Sequence, residues 1–541
     1  MRVLLAILLV CSFNFFIITN VFAKTSYDTG DTLLKEERIK KKEEALKKPM
    51  SSFTIPGEEI FNIKIAKNKT FRLWQIEVEG NTVLSKDEID KIIYDYKWTT
   101  ISLKEVKELV DKLKQAYDKK GYITTKILVP KQNILKTKKL ILNIKEGFIE
   151  ELYYGDNTVL DKIKLFLAFP SGRKSVLNVW QLDQGMDNLN RLPSNNVSVA
   201  MLPGESEGGT KVFLRNRPKD EFRGKIGYDN AGQASTGKNR AKVTLEKDNL
   251  LGINDMFTFY HISSKDTNAE AFQYSVPFRD WLFTYDWAYS EYLSSVDSAS
   301  DMFGKIKNYS ITAYKTLFRD NKNKVGAKLI YNHKNSMRFL NDFELNPQPL
   351  SIMRTGLDYE HRGDGDVFYT DVTYSKGIGR NSTIDEPDIS YDEPHAQFEK
   401  IDGSMTYMKR LTEKLSYKAE IRGQYSFQSL YSSEQIYLGS ADTVRGFMDS
   451  PSVGDSGVYL RNEISTTLGR TNFQPYIFAD AGMNYVKAKR TNEYLSGTGF
   501  GIRYISKDVN FDISYGIPLY RSDSIEKNEG EIYASCTIKL F

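Results

Sequence analysis

From Glu221 to the C-terminus, segment after segment alternates polar and apolar residues between turns, and that pattern leaves few folds open. The clearest stretch is WLFTYDWAYSE. Trp281, Phe283, Tyr285, Trp287 and Tyr289 share one face of a strand, and Thr284, Asp286 and Ser290 share the other. A soluble sandwich turns such aromatics into its core, whereas a lipid-facing wall turns them outward. Composition fits the wall, with 33 Tyr and 30 Phe against 5 Trp in a chain of negative mean hydropathy. Strand count favours it too. Sixteen segments start near Phe222, Lys238, Asn254, Ala271, Trp281, Gly304, Lys322, Ser351, Asp366, Gln397, Leu415, Ser456, Phe473, Tyr494, Val509 and Glu531. That leaves about twenty residues per strand and connection, where a tilted spanning strand takes roughly 9–11. An even count, spanning length and an end inside a strand predict a sixteen-stranded antiparallel transmembrane β-barrel over residues 219–541.

The opening MRVLLAILLVCSFNFFIITNVFA has one positive charge, at Arg2, a long apolar core and Ala23 at a small-residue cleavage position. Residues 1–23 therefore read as a secretory signal peptide. Beyond them no run of 18 apolar residues occurs, so no spanning helix is expected. Without Cys11, Cys536 stands alone and no intrachain disulfide can form. A net charge of +5 is too small a bias to imply a nucleic-acid partner or a polybasic membrane anchor.

Residues 24–48 predict a helix capped by Asp31, stopped by Pro49 and laced by Glu36/Lys40, Glu37/Lys41, Glu43/Lys47 and Glu44/Lys48. It is polar nearly all round, so it belongs in water. Two places qualify, a solvated tail or a water-filled space, and composition favours the tail. Residues 49–70, with Pro49, Pro56 and Gly57, read as a linker.

Two small α+β segments follow, at 71–147 and 148–218. In the first, LWQIEVEG is a strand, and Ser85/Glu88 and Ser102/Glu105 are capping boxes opening two helices. The second helix puts Val106, Leu109, Val110, Leu113, Ala116 and Tyr117 on one face, and Gly121 ends it. ITTKILVP and KLILNIKE are further strands. The second segment repeats the order more loosely: IEELYYG, a helix near Leu160–Ala168, the helix VWQLDQGMDNLNRL, then NVSVAML and TKVFLRN around GESEGG. They are two copies of one unit, or two unrelated domains.

Late in the chain, Val444, Arg445, Gly446 and Phe447 interrupt a connection between two barrel strands. Two strands on, PYIFADAGMNY turns Ile477, Ala479, Ala481 and Met483 to lipid, so Phe478, Asp480 and Gly482 face the lumen. If the connection, residues 429–455, folds inward, Arg445 reaches Asp480 in a charge-assisted pair. The bland alternative is a surface arginine and a solvated carboxylate. Arg461 and Glu463, in GDSGVYLRNE, share the lumenal face of the strand between.

Together these features resemble the outer-membrane transporters of two-partner secretion, the hemolysin-activator type of the superfamily that also assembles outer-membrane proteins. V-R-G-F at Val444–Phe447 and F-x-D-x-G at Phe478, Asp480 and Gly482 carry the likeness most specifically. The resemblance implies that Arg445 and Asp480 latch the loop in the barrel, that 71–147 and 148–218 are POTRA-like domains, and that 24–48 is a plug. It implies an outer-membrane pore with periplasmic N-terminal domains, exporting an unfolded hemolysin- or adhesin-type exoprotein, with membrane lipid as the other partner. One departure concerns the last strand, whose apolar set Ile532, Ala534, Cys536, Ile538 and Leu540 is out of phase with Phe541.

No cofactor, metal or nucleotide is implied: no GxxxxGK[ST] occurs, and neither H-E-x-x-H nor G-x-S-x-G is present. His261, His333, His361 and His395 are scattered, so no enzyme is expected. An outer-membrane assembly factor is the alternative function, and a passive porin or adhesin the second.

Overall fold

The computed structural model describes residues 29–47, 70–233, 235–295, 300–448, 451–469 and 471–541. The signal peptide, residues 24–28 and 48 of the expected helix and residues 49–69 of the linker lie outside them.

The first helix, α1 (Thr29–Leu46), starts two residues before Asp31, which sits in its first turn rather than at its cap. The first module follows. A parallel pair, β2 (Gln75–Glu79) and β5 (Lys139–Lys145), is extended by antiparallel β4 (Lys126–Leu128), and β1 (Thr70–Arg72) pairs with β3 (Thr100–Ser102). Both capping boxes form, opening α2 (Lys86–Ile93) and α3 (Leu103–Lys119); a short α4 (Ile134–Thr137) precedes β5. Gly121, at φ +85°, follows α3 where other residues pay a steric penalty. Val106, Leu109, Val110, Leu113 and Tyr117 are buried against Leu140 and Leu142.

The second module has the same connectivity, which decides for two copies of one unit. Strands β6 (Phe148–Tyr154) and β8 (Gly209–Asn216) run parallel, with β7 (Val197–Pro203) antiparallel to β8. Helices α5 (Val159–Ala168) and α6 (Val179–Asn190) cover the sheet. Thr158 and Asp161 form a third capping box, a signal the sequence carried unread. The modules join where the Val179 amide donates to Gly121 O (2.9 Å) and Asn178 Nδ2 to Lys120 O (2.9 Å).

The remaining chain closes a barrel of sixteen antiparallel strands. They are β9 (Phe222–Asp229), β10 (Arg240–Asp248), β11 (Met256–Ser263), β12 (Thr267–Phe278), β13 (Trp281–Ser295), β14 (Asp301–Arg319), β15 (Asn323–Leu340) and β16 (Phe343–Arg362). Past these come β17 (Asp366–Ile378), β18 (Glu399–Arg410) and β19 (Leu415–Ser426). After a short hairpin, β20 (Ile436–Leu438) and β21 (Ser452–Gly454), the wall resumes with β22 (Ser456–Thr466) and β23 (Phe473–Val486). It ends with β24 (Thr491–Ile505), β25 (Val509–Arg521) and β26 (Glu531–Lys539), and β26 pairs with β9 to close the ring. In β13, Phe283 and Tyr285 are exposed on the outer wall while Asp286 and Ser290 are buried inside.

Eight strands start at the expected residue. The largest miss is β16, which starts at Phe343 rather than Ser351. Pro347 and Pro349 argue against a strand there. The pairing of β15 with β16 instead shifts register between Ser336 and Arg338, which leaves Pro347 outside the ladder. Phe541 also escapes the phase argument. The ladder ends at Lys539, and the chain then carries the Phe541 ring onto outward-facing Phe222, 5.2 Å between centroids, above Gly224.

The second module sits against short connections of the barrel, which are therefore periplasmic. Arg191 donates to Ser275 Oγ (2.7 Å) and Asn254 O (2.6 Å), the Ser194 amide to Asp248 (2.8 Å), and Arg319 pairs with Asp187. The long connections 379–398 and 427–455 leave from the opposite, extracellular end.

Candidate functional site

Alternation gives the lumen a polar inner face, and two parts of the chain enter it. Helix α1, 18 residues and so about 27 Å long, lies inside the wall rather than trailing as a tail. A helix without a broad apolar face is compatible with this lumen because the lumen is itself charged. Leu33 and Leu34 make an apolar seat on Tyr260, Ile262, Ala271 and Ala288, and Leu46 is buried at the other end of the helix. Most of the other contacts are ionic. Arg38 meets Asp286, Lys41 meets Glu246 (3.4 Å), Lys42 meets Glu360 (2.9 Å) and Glu43 meets Lys418 (2.7 Å). Glu36 lies between Arg240 (3.4 Å) and Lys242 (3.5 Å). Thus Glu36, Lys41 and Glu43, expected to pair along the helix, turn to the wall instead.

The second intruder is the connection between β19 and β22. Its β20–β21 hairpin folds inward and seats its tip against β22–β25. Val444 and Phe447 are fully buried with Leu438, Tyr459, Leu495 and Ile525. Arg445 donates from Nε to Asp480 Oδ2 (2.6 Å) and from Nη2 to Oδ1 (2.8 Å), and its amide adds a third bond (3.2 Å). Its guanidinium lies 3.4 Å from the centroid of the Phe478 ring. The pair is thus bidentate and stacked, and both groups are 3 % exposed. Gly446 holds φ +107°; its amide donates to Tyr533 Oη (2.7 Å) and its carbonyl accepts from Asn528 Nδ2 (3.2 Å).

Arg461 supports the tip from below, donating to Asp442 O and Ala441 O (3.1 Å each). Glu463 stands 3.7 Å from Arg445 and binds Arg503, which also reaches Asp512 (2.6 Å) and stacks on Tyr476 (3.9 Å). Gly482 gives the tip room, since a Cβ there would lie 2.9 Å from Leu438 and 3.0 Å from Val444.

Sequence reasoning missed the notch that receives the loop. A Cβ at Gly497 would stand 2.1 Å from Arg445 O, one at Gly516 2.8 Å from Gly446 N, and one at Gly499 2.5 Å from the Phe478 ring. The signal was glycine at every second position of β24 (Gly497, Gly499, Gly501), which marks a close backbone approach. Missed too was Glu434, buried at the base of the loop against Arg354 (3.0 Å), Lys400 (3.0 Å) and Lys334 (3.5 Å). Lys334 also reaches Asp31 of α1 (3.5 Å), so one ammonium touches both intruders. The space left around them is a cavity of about 1420 Å³.

The family described as haemolysin secretion/activation protein ShlB/FhaC/HecB matches residues 208–504. The POTRA domain of ShlB type matches residues 71–147 and a further POTRA domain matches 148–203. The outer membrane transporter CdiB of Dickeya dadantii is 28% identical over 466 residues, 83% of this chain and 83% of that protein. The hemolysin transporter protein ShlB of Serratia marcescens is 26% identical, covering 82% of this chain and 81% of the relative. The solved structure of CdiB from Escherichia coli superposes with a TM-score of 0.82 at 24% identity, over 94% of this chain and 97% of that one.

Proposed function

This chain belongs to the haemolysin secretion/activation family of outer-membrane transporters, and we propose that it passes one unfolded partner exoprotein from the periplasm to the cell surface. The observation that carries this reading is the way the lumen is filled. Helix α1 rests on three buried leucines and a set of ion pairs with the wall. Burying a leucine side chain contributes about 1.5–3 kcal/mol, and partly solvated ion pairs add little each. A helix held so lightly is an occupant that a passing chain can displace, and its departure opens a polar path of the barrel's full length. The Arg445–Asp480 latch acts differently. It holds the loop tip against β23–β25 and keeps the wall's shape while the path is in use.

The client enters by way of the two modules. Strands β2 and β7 are free sheet edges, and an extended segment adds to such an edge through backbone hydrogen bonds with modest sequence demand. The second module, bolted to the periplasmic turns through Arg191 and Asp187, then delivers the segment at the mouth. Folding of the client outside supplies the direction of travel.

Photo-crosslinking amino acids at Ser198 on the β7 edge and at lumen-facing Thr373 test the whole route in secreting cells. One long secreted polypeptide trapped at both positions is the expected result. Many barrel precursors at Ser198 with nothing at Thr373 would make the chain an assembly factor instead.

A further inference from the structure

Helix α5 (Val159–Ala168) of the second module is apolar on two sides. Leu165 and Ala168 are buried in the module's core. Val159, Leu160, Ile163 and Phe166 are exposed, at 74%, 53%, 38% and 54%. At helical spacing these four, with Leu167, cover an arc of roughly 120°. Lys162 and Lys164 stand at its two borders. An arc of that width is more than a scatter of surface apolar residues.

The arc is continuous with the outer wall of the barrel. Phe166 packs edge-on against Phe278, 6.1 Å between centroids, and Phe278 is an outward-facing residue at the periplasmic end of β12. The helix is pinned there by backbone. The Arg279 amide donates to Leu167 O (2.5 Å) and Asn254 Nδ2 to Lys164 O (3.2 Å). The same connection, between β10 and β11, exposes Leu250 and Leu251 at 51% and 64%. Basic groups gather at this level, with the Arg279 guanidinium 4.8 Å from the Phe166 ring and Lys315 Nζ 5.1 Å from that of Trp281.

We propose that α5 lies in the periplasmic leaflet of the outer membrane, with its apolar arc among the acyl chains of phospholipids. Lys162 and Lys164 extend to the phosphates on either side, as lysines do on helices that lie in a membrane interface. The outer wall is in lipid, and the arc joins it directly through the Phe166–Phe278 contact with only the basic Arg279 beside the two rings, which selects lipid over a protein partner. An exported chain, in contrast, has to reach the lumen, on the inner side of β12. The second module is thereby seated on the membrane as well as on the barrel, and its free edge β7 keeps a fixed height relative to the pore.

The test uses the full chain in nanodiscs of phosphatidylethanolamine and phosphatidylglycerol, lacking Cys11 and Cys536. An environment-sensitive fluorophore is placed at Ile163→Cys and, as a reference on the first module, at Glu108→Cys. Nitroxide carried on lipid is expected to quench the Ile163 label at least 3-fold more than the Glu108 label, with the reverse order for iodide. Equal iodide quenching at both positions overturns the proposal. A label that is open to iodide until a secreted client is added also overturns it, and assigns the arc to a protein. If Ile163→Cys does not fold, Leu251→Cys on the neighbouring turn reads the same depth by the same criteria.

Discussion

Arg445 is held on several sides at once: a bidentate carboxylate, an aromatic face and a carbonyl with glycine beneath it. Replacing it with alanine leaves Asp480 buried without its partner, which costs about 3–5 kcal/mol for a pair of this kind. Arg445→Ala is expected to insert as a barrel, to unfold at lower temperature and to lose export at least tenfold. Arg445→Lys should recover little, because an ammonium is neither bidentate nor planar. Export assays and heat-shift gels on the two variants check this, and wild-type export from both would remove the latch from the mechanism. Gly497→Ala tests the notch without touching a charge. Its methyl would meet the Arg445 carbonyl at 2.1 Å, so the tip has to lift. The expected phenotype matches Arg445→Ala, and a wild-type Tm would show that the loop had another seat. At this scale the inward direction of Asp480 was legible from strand alternation alone, while its pairing with Arg445 was legible only through the family resemblance. Gly497 and Gly516 were not, since their importance lies in what a second segment places above them.

Helix α1 is an element whose place its own composition does not dictate. A polar helix is equally content in bulk water and in a charged lumen, and only the wall's complementary residues choose between them. Asp286, Glu246 and Glu360 receive its cations, while Arg240 and Lys418 receive its anions. These partners lie more than 190 residues away in sequence, so no local pattern exposes them. Because the contact is mainly ionic, salt should weaken it. The Debye length falls from about 10 Å at 0.1 M to about 3 Å at 1 M. Deleting residues 31–46 is expected to raise the conductance of single pores in a planar bilayer. Raising salt from 0.1 M to 1 M should lengthen the open time of the intact chain beyond what bulk conductivity predicts. Leu33→Asp is expected to do so at low salt, by removing part of the apolar seat. Unchanged conductance in the deletion would mean that the helix does not obstruct flow. Lys334, between Asp31 and Glu434, ties helix to loop. Lys334→Met should therefore weaken the helix's hold even though the latch itself is untouched.

For the whole molecule, the sixteen-strand barrel and its two-module arm could be read from alternation, capping boxes and strand spacing. How the arm meets the barrel could not. That interface is made by residues such as Arg191 and Asp187, which look like ordinary surface charges on an amphipathic helix. Asp187 offers a direct probe of the joint. Burial alone would raise its pKa, but Arg319 and Lys324 outweigh burial and hold it below the ordinary aspartate value. A carboxylate depressed in the docked state favours docking above its free pKa, near 3.8, and the contribution is lost as pH falls through the depressed value. Distances between a spin label on the first module and one on an extracellular loop should therefore stay narrow from neutral pH down to about pH 4, then broaden below it. Asp187→Asn should give a broader distribution at neutral pH and remove the part of the acid broadening that belongs to this contact. The remaining breadth at neutral pH measures what the other contacts hold, namely the Arg191 guanidinium bonds to the β10–β11 turn and the backbone bond from Arg279 to Leu167. If Asp187→Asn leaves the distribution as narrow as wild type, those contacts and the membrane seat of α5 suffice, and the arm's angle is set without the Asp187 carboxylate.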